Sequence, residues 1–182
     1  MIIGEKIILR ALNRSDADKI LKWCNDPEIK HLTGTLFPVS DIEHEKWFQN
    51  KISDPINKMF GIEDLNKNFI GIIGIKNVDL INRSGELYIY IGEKEFWGKG
   101  YGSDAIRTFV SFCLNEMNMH KIYLSVFSYN KRAIRSYEKS GFKTEGVLKD
   151  AIFKGGRYHD KLIMGIINQN ELKCNIDKHQ EG

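Results

Sequence analysis

The run Phe96-Trp97-Gly98-Lys99-Gly100-Tyr101-Gly102-Ser103 holds the residue types that most directly suggest chemistry in this 182-residue chain. Alternating glycines let a backbone turn sharply and approach a ligand closely. The run follows a strand-like segment and opens a helix-like one, so its amides lie at the positive end of a helix dipole, where phosphate oxygens are attracted. Ser103 stands where a G-x-G-x-x-G dinucleotide fingerprint starting at Gly98 needs its last glycine, and G-x-x-x-x-G-K-[ST] is not met either. Trp97 to Ser103 therefore reads as an anion cradle of another kind, or, taken alone, as an ordinary tight strand-helix connection.

A second block follows one helix and one strand later, Val126-Phe127-Ser128-Tyr129-Asn130-Lys131-Arg132-Ala133-Ile134-Arg135-Ser136-Tyr137-Glu138-Lys139-Ser140-Gly141-Phe142. With both blocks in this order and at this separation, the chain resembles the GNAT superfamily of N-acetyltransferases. Gly100 and Gly102 match the glycines of that family's R/Q-x-x-G-x-G/A pyrophosphate signature, and the second block resembles its asparagine, alanine, tyrosine and glycine-phenylalanine stretch. Trp97 departs from the pattern, standing where the family has arginine or glutamine. The nearest likenesses are to the ribosomal-protein N-terminal and the spermidine acetyltransferase branches.

The resemblance implies acetyl-coenzyme A as co-substrate, with Trp97, Gly98, Lys99, Gly100, Tyr101, Gly102 and Ser103 around the pyrophosphate and Ile89, Tyr90 and Ile91 pairing with the pantetheine amides. Pantetheine is an extended chain of amides, so it can complete an open strand edge. A splayed strand at Tyr90 to Gly92 would also offer an amide to the thioester oxygen. Asn130 suits the pantetheine arm or a helix N-cap, and Lys131, Arg132 and Arg135 could meet cofactor phosphates or stand as plain exposed helix charges, with Arg135 carried as the candidate ligand. Tyr137 matches the tyrosine that protonates the departing thiolate; its structural alternative is a packed helical tyrosine.

An alkylammonium has no lone pair with which to attack a thioester, so a base must take its proton. Glu86, before the cofactor strand, is the preferred base, directly or through water; a surface glutamate beside the Gly85 turn is the plain alternative. His31, His120 and His159 are weaker candidates, and none has metal-binding spacing, so no metal is expected. The acceptor is expected among Trp23, His31, Trp47 and Tyr88, with Asp26 and Phe37 nearby, although both tryptophans also suit core positions. The expected acceptor is an amine-bearing small molecule or a peptide N-terminus, with the ribosomal-protein type leading. Polyamine, amino-sugar or other small-amine acetylation and a non-catalytic acetyl-coenzyme A sensor are the alternatives. The resemblance also leaves room for a homodimer.

Composition narrows the classes further. A formal charge of +3 from 27 basic and 24 acidic residues, without a basic block, gives no reason to expect nucleic acid. The three cysteines, Cys24, Cys113 and Cys174, have neither disulfide-framework nor zinc spacing. No apolar run approaches the ~20 residues that span a bilayer, so a cytoplasmic protein without membrane contact is expected.

The elements that must position these residues read as one mixed α/β domain over 1–182, ordered to about 168, with a polar tail at 169–182. The expected frame is a GNAT-like, mostly antiparallel twisted sheet with one splayed strand pair and helices on both faces. Lys6 to Leu12 reads as a strand, and a helix opening at Ser15 with Asp18 should stop near Asn25-Asp26-Pro27. A second helix begins at Ser40 or Asp41, and a meander runs from Met59 to Gly92. The apolar spacing from Ala105 to Met117 predicts a helix, Lys121 to Phe127 a strand and Arg132 to Ser140 a helix stopped by Gly141. Two strands joined at Gly155-Gly156 close the domain.

Overall fold

A computed structural model describes residues 1–169; the tail expected at 169–182 lies outside the described residues apart from Gln169. An eight-stranded sheet runs in the order β1-β2-β3-β4-β5-β6-β8-β7. Its strands are β1 (Ile2–Ile3), β2 (Ile7–Ala11), β3 (Met59–Asp64), β4 (Phe69–Asp79), β5 (Ser84–Ile91), β6 (Lys121–Phe127), β7 (Lys143–Lys154) and β8 (Arg157–Ile167). Every adjacent pair is antiparallel except β5 and β6, which are parallel. Among the described residues five α-helices accompany them: α1 (Ala17–Asn25), α2 (Pro27–Leu32), α3 (Asp41–Ser53), α4 (Tyr101–Asn115) and α5 (Lys131–Lys139).

The sheet separates two cores. On one face α4 and α5 bury Ile106, Phe109, Val110, Ile134 and Tyr137 against Ile7, Ile73, Leu87, Ile122 and Met164. On the other, Ile20 and Trp23 of α1 and Phe48 of α3 pack on Phe69 and Ile72. β4 contributes to both cores, which is why its sequence is continuously apolar rather than alternating. Each fully buried large side chain stabilises the fold by about 1.5–3 kcal/mol.

Two N-terminal expectations change. α1 opens at Ala17 rather than at Ser15, after a 3-10 turn at Arg14–Asp16 in which the Asn13 amide donates to Asp16 Oδ2 at 2.7 Å and Arg10 grips the same carboxylate at 2.7 and 2.9 Å. Pro27 does more than end α1. It begins the unanticipated α2, whose N-cap Asp26 accepts from the amides of Glu28 and Ile29 at 2.9 and 3.2 Å. Proline suits a first helical position because the amide it lacks would have had no intrahelical partner there.

Candidate active site

β5 and β6 share only three rungs, Ser84 with Lys121, Gly85 with Ile122 and Glu86 with Tyr123. Beyond them β5 continues to Ile91 and β6 to Phe127, so the two strands diverge toward their C-terminal ends. The resulting gap is part of a cavity of about 820 Å³. The chain leaves β5 toward α4 and leaves β6 toward α5, so both helix N-termini belong to the open end.

The cradle at that end is shaped by two left-handed glycines, Gly98 at φ 74° and Gly100 at φ 89°, the latter capping α4. A side chain at either position would strain the backbone. The Asp104 amide makes the helical bond to the Gly100 carbonyl at 3.0 Å, so the amides of Tyr101, Gly102 and Ser103 precede the ladder, as an anion site needs. Lys6 braces the turn from behind, its ammonium on the Lys99 carbonyl at 3.1 Å and its amide on Asp104 Oδ2 at 2.8 Å. Gly98, Gly100, Gly102, Ser103 and Trp97 line the cavity. Lys99 and Tyr101 do not; the Tyr101 ring packs edge-on to Phe96, with centroids 5.0 Å apart.

Period-two alternation turns β5 into a two-sided wall. Leu87, Ile89 and Ile91 pack with the α4–α5 core, whereas Tyr88 and Tyr90 pack with the α1–α3 core. The cavity therefore meets both faces of the sheet: Ser136, Tyr137 and Ile106 from one side, and Trp47, Lys51, Tyr88 and the Thr33–Thr35 loop from the other. Two backbone groups at the end of β5 are committed. The Ile91 carbonyl accepts Trp97 Nε1 at 2.7 Å, and the Gly92 amide donates to the Ile70 carbonyl at 2.8 Å. Of the Tyr90 to Gly92 amides offered for a thioester oxygen, that of Gly92 is thus already used.

Tyr137 lines the cavity with its ring edge-on to Phe142 and its side chain almost wholly buried. Burial pushes its phenol well above the ordinary tyrosine range, so it holds its proton at every physiological pH. Glu86 also lines the cavity, on the last paired rung, with Lys76 Nζ at 3.3 Å from one oxygen and Asn77 Nδ2 at 2.9 Å from the other. Asn130 caps α5 through the Ala133 amide at 3.2 Å and also lines the cavity. Arg135 lines the same space.

The four proposed acceptor residues separate. Trp47 and Tyr88 are on the wall. Trp23 is not: it is buried in the second core, 5.0 Å from the Phe69 ring and pressed on Gly92, where an added Cβ would lie 2.0 Å from the indole. The amphipathic rhythm of α1 could not distinguish a core tryptophan from a pocket one. His31 lines an adjoining hollow of about 310 Å³ with Tyr129, whose hydroxyl donates to the His31 carbonyl at 2.7 Å. Asp26 pairs with Lys94 at 2.9 Å, and Phe37 is exposed.

The sequence reading missed Lys51, Lys76, Ser125 and Lys161 on the wall. Alternation along β5 and β6 could have placed Ser125 at the gap, but nothing local marks the three lysines. The Tyr88 hydroxyl is buried without a hydrogen-bond partner in the described residues, and burial raises its pKa. Those residues contain no group of three or more potential metal ligands and no helix long and apolar enough to cross a membrane.

A cleft between splayed parallel strands, with a glycine turn at its mouth and a buried tyrosine within, is the arrangement that the resemblance to coenzyme A-dependent N-acetyltransferases implies. Residues 6–143 match the Acetyltransferase (GNAT) domain, and the chain belongs to that family. It is 33% identical over 170 residues to a spermidine N(1)-acetyltransferase of Vibrio cholerae, covering 93% of this chain and 98% of the relative. A solved spermidine N-acetyltransferase from Vibrio cholerae, in complex with CoA and spermine, superposes with a TM-score of 0.83 at 33% identity, covering 92% and 98% of the two chains. A putative ribosomal N-acetyltransferase of Bacillus subtilis is 23% identical over 174 residues, 92% of this chain and 94% of the relative.

Proposed function

We propose that this enzyme transfers acetyl from acetyl-coenzyme A to a primary amine of a small polyamine of the spermidine class. The observation that carries the reading is the 33% identity to a spermidine acetyltransferase across nearly the full length of both chains. The ribosomal-protein type, which led from sequence alone, falls behind because its relative shares only 23%.

Acetyl-coenzyme A supplies the activated acyl thioester. Its diphosphate is assigned to the Gly98–Ser103 amides and its pantetheine arm to the open edge of β5. The acceptor is assigned to the opposite side of the sheet, near Trp47 and Tyr88, where Glu86 takes the ammonium proton. Tyr137 serves the departing thiolate by a hydrogen bond or a proton transfer concerted with C–S cleavage, because a phenol is a weaker acid than a thiol and burial weakens it further.

One observation favours a second reading. Among the described residues Glu86 is the only carboxylate lining the cavity, whereas Lys51, Lys76 and Lys161 also line it. Asp26 and Glu28 share Lys94 at 2.9 and 3.0 Å, the Glu43 carboxylate accepts from the Ser40 amide and hydroxyl at 3.0 and 2.7 Å, and Asp41 accepts from the Ile42 amide at 2.9 Å, so these four acidic groups are engaged outside the cavity wall. An amine that also carries an acidic group, such as an amino-sugar phosphate, fits that balance. Thiol release measured over spermidine, spermine, amino sugars, an amino-sugar phosphate and N-terminal peptides decides between them. The polyamine reading expects the highest kcat/KM for spermidine or spermine; a higher value for any other acceptor overturns it.

A further inference from the structure

We propose that Trp97 is a positioning residue that holds the Arg132 guanidinium flat at the mouth of the cavity, with its N–H edge presented to a phosphate of the coenzyme. The proposal rests on the acetyl-coenzyme A reading and adds a phosphate ligand outside the glycine cradle.

Trp97 follows a 3-10 turn at Lys94–Phe96 and returns the chain toward the strand it has just left. Its indole N–H is fixed on the Ile91 carbonyl at 2.7 Å, and Ile91 lies beyond the rungs that β5 shares with β6. This bond satisfies one carbonyl there and locks the plane of the ring. On that ring lies the Arg132 guanidinium, its carbon 3.8 Å from the centroid. Arg132 is the second residue of α5, so one indole ties the end of β5 to the start of α5 across the splay.

Stacking occupies the face of a guanidinium and leaves its five N–H donors pointing outward in the plane. Arg132 lines both the main cavity and the adjoining hollow. Among the described residues no carboxylate lies within ion-pair distance of it; Glu28 acts only as a more distant charge. Arg132 is exposed at the rim, with one face of its guanidinium covered by the indole, so an aromatic platform holds a cation at the edge of an anion site. A lysine would present a compact charge without the planar face. This also accounts for tryptophan where the family pattern has a polar side chain: the indole acts through its neighbour.

Calorimetric affinities for coenzyme A and for pantetheine, which lacks every phosphate, test the proposal in the wild type, Trp97→Phe, Trp97→Ala, Arg132→Ala and the Trp97→Ala/Arg132→Ala double variant. Each protein is first checked for native circular dichroism. Arg132→Ala should weaken coenzyme A binding about tenfold, as loss of a hydrogen bond between charged groups does. Trp97→Ala should weaken it by a similar factor, and Trp97→Phe, which keeps an aromatic face but loses the N–H, by less. The double variant should be no weaker than about twofold beyond Arg132→Ala alone, pantetheine affinity should be unchanged throughout, and the kinetic loss should fall on KM for acetyl-coenzyme A rather than on kcat. Additive losses, equal losses with pantetheine, or unchanged coenzyme A affinity in Arg132→Ala would overturn the proposal. If Trp97→Ala fails to fold, Trp97→Phe and Arg132→Ala still decide it. Wild-type protein that does not bind coenzyme A would instead remove the acetyl-coenzyme A reading itself.

Discussion

Glu86 and Tyr123 form the last rung that joins β5 to β6, and from this pair onward the two parallel strands separate. The residue assigned as base thus sits at the closed end of the gap, anchored by paired backbone. Lys76 and Asn77 hold its carboxylate from the β4 side.

Replacing Glu86 with Gln should lower kcat by ~10²- to ~10⁴-fold near neutral pH, the range for loss of general-base help. Because the amine must then lose its proton to solvent, the residual rate should climb with pH until the acceptor's own pKa. Steady-state kinetics from pH 6 to 10 provide the check, and an unchanged rate removes Glu86 from the mechanism.

Tyr137→Phe should retain coenzyme A affinity while lowering turnover by ~10- to ~1000-fold. Isothermal titration beside thiol-release kinetics separates the two effects. Equal turnover would leave Tyr137 as a packing residue only.

Gly100 has φ 89°, and an alanine there meets strain of roughly 1–2 kcal/mol besides placing a methyl at the cradle. Gly100→Val should therefore weaken coenzyme A binding by at least about tenfold. Titration at constant ionic strength tests this; equal affinity would move the cradle elsewhere.

Burial raises the phenol pKa of Tyr88, Tyr90 and Tyr137. An unfolded chain ionises its tyrosines near pH ~10, whereas the native protein keeps these three protonated. Between the unfolded and folded pKa values the native state binds more protons, so stability is full below pH ~10 and falls as pH rises through that window. Denaturant titrations at pH 8 and 10.5 should show the decline, and Tyr90→Phe should make it shallower.

Much of the backbone around the candidate site was legible because it depends on local geometry. The glycines at 98 and 100 take left-handed conformations that other residues adopt only with strain, Gly141 ends α5 at φ 94°, and the apolar spacing of α4 reports its buried face directly. Pro27 was half legible: its effect on the preceding residue ends α1, but the helix it starts also depends on the Asp26 cap.

The main strands and helices apart from β1 and α2, the left-handed glycine turn, the two sequence blocks and the candidate Tyr137 could be picked out from the chain alone, because each is written in residues close together along it. Only tertiary structure decided that Trp23 belongs to the core, that Lys51 and Lys76 share a cavity with Glu86, and that Trp97 carries Arg132. Those relationships join residues brought together by sheet topology and by the divergence of β5 from β6. Side-chain periodicity specifies which face of an element is buried, but leaves open what the fold will place against it.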